Sequence, residues 1–460
     1  MQEGLAAVIL AAGKGTRMKS ALPKVLHPIC GAPMLQYPLQ AAQQAGFTQL
    51  QVVVGHQSEA VRERFSAAQV SWVEQTEQLG TGHALLCAAE SLTDFNGTLL
   101  LLCGDVPLLR AETLQQLLAF HAQQQAAVTV LTAEMPNPTG YGRIIRNGEQ
   151  VLQIVEEKDA SESQRQVQEI NTGTYLFDAA FVFAALKNLK TDNAQGEYYL
   201  TDVVAAAVAA GKKTRAICVS DPTEVMGIND RCQLAEAEAL MRWRINTELM
   251  RSGVSMIDPT TVYVDAGVVI GSDSVLHPNV QLRGTTTIGN NCTVETGVVV
   301  VDSTIADDVH LKAGSAIEEA QIGPACKIGP MAHLRPGTVL LGNNKIGNFV
   351  ETKKALLGEG SQSSHLTYIG DAEVGRNVNF GCGTITCNYD GVNKHKTIIE
   401  DDVFIGSDVQ FVAPLRIGRN SLIGAGSTIT KDVPADSLAL SRSEQKVIQG
   451  WTLRKKSKKS

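Results

Sequence analysis

Residues 264–300 read VDAGVVI GSDSVL HPNVQL RGTTTI GNNCTV ETGVVV. Val264, Ile270, Leu276, Leu282, Ile288, Val294 and Val300 fall six positions apart without a slip. A helix cannot hold a strict period of six on one face, and a flat strand repeats every two residues. A triangular coil accommodates it. Each six-residue step forms one side, the aliphatic residue points inward, and three steps complete a turn. The run therefore predicts a parallel β-helix of hexapeptide repeats. Two further runs extend it: Ile322, Ile328, Leu334, Leu340 and Ile346, then Ile399, Ile405, Phe411, Ile417, Ile423 and Ile429. The pattern lapses over residues 352–368 and 386–396. Such lapses are expected where loops leave the coil, and such loops often carry a site.

Upstream, to about residue 225, the grammar differs. Apolar runs at 6–10, 51–54, 98–102 and 127–131 read as strands. Alanine- and glutamine-rich stretches at 33–45, 82–89 and 111–122 read as helices. Alternation of this kind predicts an α/β domain with a mostly parallel sheet covered on both faces. Ligands then sit at the carboxyl ends of the strands. Between the two regions, Leu234, Leu240, Met241, Ile245, Leu249 and Met250 mark a long helix, closed by Ser252-Gly253. The expected organisation is an α/β domain over 1–228, a linker helix over 229–252 and the β-helix over 253–460.

Composition narrows the class. At 460 residues the chain exceeds one ordinary core. A formal net charge of −7 argues against a general nucleic-acid surface. The nine cysteines are odd in number and form no C-x-x-C pair, so they read as reduced thiols rather than a disulfide frame or zinc site. No signal-peptide pattern and no run of membrane-spanning length occurs, so no membrane insertion and a cytoplasmic location are expected. The basic tail from Arg454 to Lys459 reads as a solvated end.

The chemistry of the first half starts at Leu10-Ala11-Ala12-Gly13-Lys14-Gly15-Thr16-Arg17-Met18, with Pro23-Lys24 beyond. A glycine-rich turn after a strand frees several backbone N–H groups for a phosphate. Arg17 and Lys24 add positive charge. The spacing fits neither G-x-G-x-x-G nor the Walker loop. Asp105, at the end of another apolar run, suits a Mg²⁺ ion held by few protein oxygens and by phosphates. Gln75 and Gly80-Thr81-Gly82 suit an uncharged base edge and a ribose, whereas His83 reads as structural. Asn229, just before the linker helix, reads as a helix cap. In the second half, His365 sits in the first lapse and can take a proton near neutral pH.

These motifs carry a family resemblance. The glycine loop with Pro23-Lys24 resembles the signature of sugar-1-phosphate nucleotidyltransferases. Almost the whole chain resembles the bifunctional N-acetylglucosamine-1-phosphate uridyltransferase/glucosamine-1-phosphate acetyltransferases. The second half matches them at Leu334-Arg335-Pro336-Gly337, His365-Leu366-Thr367-Tyr368 and Gly383-Thr384-Ile385-Thr386-Cys387-Asn388-Tyr389. The resemblance implies a Rossmann-like first domain, a left-handed β-helix and a homotrimer.

It also implies site residues. Leu10, Ala11, Ala12, Gly13, Arg17, Lys24, Gln75, Gly80 and Thr81 would hold UTP. Gly142, Glu156 and Asn171 would hold the amino sugar, and Asp105 and Asn229 would hold Mg²⁺. His365 would be the general base. Arg335, Lys353, Tyr368 and Asn379 would hold glucosamine 1-phosphate. Cys382, Asn388, Tyr389, Ser407, Ala425 and Arg442 would hold acetyl-CoA. Cys382 departs from the alanine expected there. The implied function is acetyl transfer to glucosamine 1-phosphate, then uridyl transfer to N-acetylglucosamine 1-phosphate. The alternative is a nucleotidyltransferase whose coil serves only assembly or regulation. The polar set Arg335, Lys353, His365, Tyr368, Asn388 and Tyr389 distinguishes the two, because a spacer has no use for it.

Overall fold

The computed structural model describes residues 4–456. Lys458 and Lys459 of the basic tail lie outside the described residues. The chain forms two compact units, Met1–Met241 and Arg242–Ser460. The helix Arg231–Arg251 runs through the division.

The first unit is built on one sheet. Its strands run in the order Thr214–Cys218, Val128–Glu134, Glu169–Asp178, Gly97–Cys103, Gly4–Ala11, Gln49–Val54 and Ser71–Glu74. All neighbours are parallel except Glu169–Asp178, which runs antiparallel to both strands beside it. A hairpin, Arg143–Asn147 with Gln150–Val155, joins through Glu169–Asp178. Side chains of the Gly4–Ala11 strand alternate between two cores. Ala7 and Ile9 enter one, and Ala6 and Val8 enter the other. Burial on both faces explains why that strand reads as a continuous apolar run. Its helices include Gln36–Gln44, Thr81–Ala89 and Ala111–Gln124. The first starts later than the sequence suggests, because Pro33 is held in a two-residue strand against Pro28.

The second unit is a parallel β-helix. Val264 pairs with Leu282, Leu282 with Val300, Val300 with Ile317 and Ile317 with Leu334. The column continues through Thr352, Ile369, Thr386, Phe411 and Ile429. These side chains are buried, with one continuous core beneath them. The end of the helix closes that core. Ile245 and Leu249 pack on it, and Asn246 Nδ2 donates to the carbonyls of Pro259 and Val262 at 2.8 and 2.9 Å.

One expectation is corrected here. Residues 352–368 do not leave the coil. Glu351–Leu357 and Gln362–His365 pair with the coil before and after them. The pattern lapses because Thr352 and Ser363 take inward positions while remaining fully buried. Thr352 Oγ1 lies 2.9 Å from Thr338 Oγ1, so one hydroxyl satisfies the other. The second lapse is a true excursion: Thr386 pairs with Phe411, so residues 388–396 project from the coil.

Candidate active sites

In the first unit the predicted residues converge at the carboxyl ends of the strands. Leu10, Ala11, Ala12, Gly13, Lys24, Gln75, Gly80, Thr81 and Asp105 line a cleft of about 280 Å³. A larger cavity lies elsewhere, between residues 36–43 and 60–70, and contains none of them. Lys24 Nζ donates to Asp105 Oδ2 at 2.5 Å and to Asn229 Oδ1 at 3.3 Å. Arg17 Nη2 donates to the same Asn229 oxygen at 2.8 Å. The capping role falls to Asp230, whose Oδ1 accepts from the N–H groups of Cys232 and Gln233 at 2.9 Å. The Asn229 side chain is thus left to accept from Lys24 and Arg17. Two oxygens, one of them a carboxylate, converge on one cationic point, a donor set that fits a hard divalent cation.

Gln75 is buried, and its Nε2 donates to the Gly80 carbonyl at 3.1 Å and meets His83 Nδ1 at the same distance. His83, on the helix Thr81–Ala89, thus buttresses Gln75. The sugar-side residues also meet. The Asn171 N–H donates to the Gly142 carbonyl at 2.8 Å. A Cβ at Gly142 would come within 3.4 Å of both Glu156 carboxylate oxygens. Burial pushes the Glu156 carboxyl up, and Asp159 and Asp202 push it further. Asn171 Oδ1 accepts from the Tyr175 hydroxyl at 2.8 Å, which fixes the amide's direction.

Sequence reasoning placed Cys103 at this crevice but passed over Gln78 and Glu197, polar residues that also line it. Gln78 Nε2 donates to the Ala12 carbonyl at 2.8 Å and braces the glycine loop. Burial pushes the Cys103 thiol up to about 12, so it stays protonated. Glu197 sits in a polar loop that offered no strand or helix signal.

In the second unit the residues form two ladders. Asn348 pairs with His365, and the inward column Ser363, Phe380, Ile405, Ile423 sets the register above it. His365, Cys382, Ser407 and Ala425 each lie two residues beyond a member of that column. They therefore stack along one edge, and Arg442 Nη1 donates to the Ala425 carbonyl at 2.9 Å. Asn379 opens the strand that contributes Phe380. His365 ends a strand rather than lying in a loop, and its Nδ1 is 2.8 Å from Asn348 Oδ1.

The other ladder follows the corner. Arg335 Nη1 donates to Glu351 Oε1 at 2.6 Å, and Glu351 pairs with Tyr368 in register. Lys394, which sequence reasoning missed, lies against Lys353. With Arg335 it holds that ammonium below the usual lysine range. It comes from the excursion at 388–396. Asn388 Nδ2 donates to Asp371 Oδ2, and the Tyr389 hydroxyl donates to the Gly391 carbonyl at 2.6 Å. Three cations gathered this closely favour an anion.

Comparison with known proteins identifies the family. Residues 6–224 match the nucleotidyl transferase family model, 258–360 the GMPPB C-terminal domain, and 396–431 the bacterial transferase hexapeptide repeats. The bifunctional protein GlmU of Syntrophotalea carbinolica is 64% identical over 450 residues, covering 98% of this chain and 97% of its own. The chain belongs to the bifunctional GlmU family. The GlmU of Pelobacter propionicus is 58% identical over 458 residues, 99% of this chain and 100% of its own. As a GlmU family member the protein is an enzyme with two activities. It is a UDP-N-acetylglucosamine pyrophosphorylase and a glucosamine-1-phosphate acetyltransferase. No helix among the described residues is long and apolar enough to cross a membrane.

Proposed function

We propose that the two sites divide the reactions as follows. In the first unit the 1-phosphate oxygen of N-acetylglucosamine 1-phosphate attacks the α-phosphorus of UTP in line, and pyrophosphate leaves. No side chain forms a bond. Lys24, Arg17 and the amides around Gly13 neutralise phosphate charge, and Gln75, Gly80 and Thr81 orient the base and ribose. Gly142, Glu156 and Asn171 hold the sugar. Asp105 and Asn229 would hold Mg²⁺, which when bound neutralises charge on the phosphates. The observation that carries this is the convergence of both oxygens on Lys24, within reach of the glycine loop.

In the second unit the amine of glucosamine 1-phosphate attacks the acetyl-CoA thioester carbonyl and coenzyme A leaves as the thiol. His365 takes the amine proton. Arg335, Lys353, Tyr368 and Asn379 hold the sugar phosphate. Cys382, Asn388, Tyr389, Ser407, Ala425 and Arg442 hold acetyl-CoA. A homotrimer fits the coil's exposed apolar stripe of Phe404, Leu422 and Leu438, which occupy matching positions on successive turns. A cytoplasmic setting fits the nine free cysteines.

Thiol release on mixing the protein with acetyl-CoA and glucosamine 1-phosphate tests the second reaction. Release that depends on the sugar is expected. Its absence in folded protein would leave the first reaction alone.

A further inference from the structure

We infer that Asn348 is a positioning residue for the acetyl transfer: it fixes the tautomer and direction of the His365 ring. The inference rests on the reading of His365 as the general base. A neutral imidazole that accepts a proton at Nε2 must carry its own proton at Nδ1. His365 Nδ1 lies 2.8 Å from Asn348 Oδ1, an oxygen that can only accept. Nδ1–H therefore donates to the amide, and the lone pair is left on Nε2.

The coil builds this contact. Asn348 and His365 are register partners on successive turns, so their side chains stand side by side. Both end short strands, Lys345–Asn348 and Gln362–His365. Each is followed by a residue in the left-handed region, Phe349 at φ 56° and Leu366 at φ 44°, which turns the chain at the corner. The Leu366 N–H donates to the Asn348 carbonyl at 3.1 Å. The Thr367 hydroxyl donates to the His365 carbonyl at 2.7 Å. Gly347 completes the arrangement, because a Cβ there would overlap the Ser364 carbonyl. The backbone on either side of the pair is thus held, and the ring has one partner that sets its rotation.

An aliphatic residue in place of Asn348 would leave the ring free to turn and to protonate at Nε2. Misplacing a catalytic group without removing it costs on the order of a hundredfold in rate. The test uses the full chain and three variants: Asn348→Leu, Asn348→Asp and His365→Ala. Acetyl transfer is followed by thiol release, and uridyl transfer checks folding. Nitrogen-15 spectra of histidine-labelled protein report the tautomer. Asn348→Leu is expected to lose about a hundredfold in kcat with KM for both substrates nearly unchanged. Asn348→Asp keeps the acceptor and is expected to retain most of kcat. In the unsubstituted protein the His365 signals are expected to show a protonated Nδ1 and an unprotonated Nε2. A kcat unchanged in Asn348→Leu, a loss confined to KM, or a protonated Nε2 at neutral pH would each overturn the inference. Acetyl transfer surviving in His365→Ala would overturn the base reading itself, and that outcome is distinct from the others.

Discussion

At the scale of single residues, the two chemistries should separate cleanly. Asp105→Ala removes the carboxylate that Lys24 meets, and uridyl transfer is expected to fall by about a thousandfold. Acetyl transfer in the same protein is expected to stay near its original rate. His365→Ala is expected to do the reverse, and assaying both reactions on both variants checks the pair. Glu156 makes a prediction in pH. In the proposed reaction its charged form accepts from sugar hydroxyls, and burial with Asp159 and Asp202 nearby raises its pKa. A raised carboxyl loses its charge on acidification sooner than an ordinary glutamate. KM for N-acetylglucosamine 1-phosphate is therefore expected to rise as pH falls, starting above the usual carboxylate range. Glu156→Gln should flatten that limb and raise KM at neutral pH by about tenfold.

At the scale of elements, one carboxylate ties the excursion at 388–396 together from within. Asp390 accepts from the N–H groups of Asn393 and Val392 at 2.6 and 2.8 Å, and its other oxygen is 2.7 Å from His395 Nε2. These bonds lower its pKa from 3.8 to about 2, the Asn393 bond most of all. A lowered carboxyl contributes order that is present above 3.8 and disappears as pH falls through about 2. Hydrogen exchange of this segment should be slow at pH 5 and quicken only in that acid window. In Asp390→Asn it should be fast already at neutral pH.

The same elements show what was legible in the sequence. The period of six gave the coil because every sixth residue from Val264 to Val300 is aliphatic and buried. It misled at Thr352 and Ser363, where small polar residues replace aliphatic ones without breaking the turn. The glycine loop announced its site through local order alone. Glu197 and Lys394 did not, because each reaches its site from an irregular segment, and only the fold brings them there. The antiparallel strand Glu169–Asp178 was also hidden, since polar residues at Asn171 and Thr172 interrupt its apolar run.

At the scale of the whole molecule, each unit has its own core, and each reaction should survive alone. A fragment starting at Arg242 keeps Ile245, Asn246 and Leu249 over the first turn of the coil. One starting at Val254 loses them. The longer fragment is expected to transfer acetyl groups with a melting temperature several degrees higher than the shorter one. Phe411→Ala, in the interior column, should cost about 3–5 kcal/mol by denaturant unfolding of that fragment.

The interior column has one more implication, for how such a chain can change length. From Val264 to Leu282 and from Leu282 to Val300 each turn consumes eighteen residues. Excising residues 283–300 would splice one inward position onto its equivalent. Every later residue would slide about 4.8 Å along the axis without rotating. Excising only six would keep each aliphatic side chain indoors but swing everything downstream by about a third of a revolution, so His365 and its ladder would face another side. The core would accept either deletion. Only the longer one preserves the compass bearing of the active edge, so whole turns are the natural unit in which this half of the protein can grow or shrink.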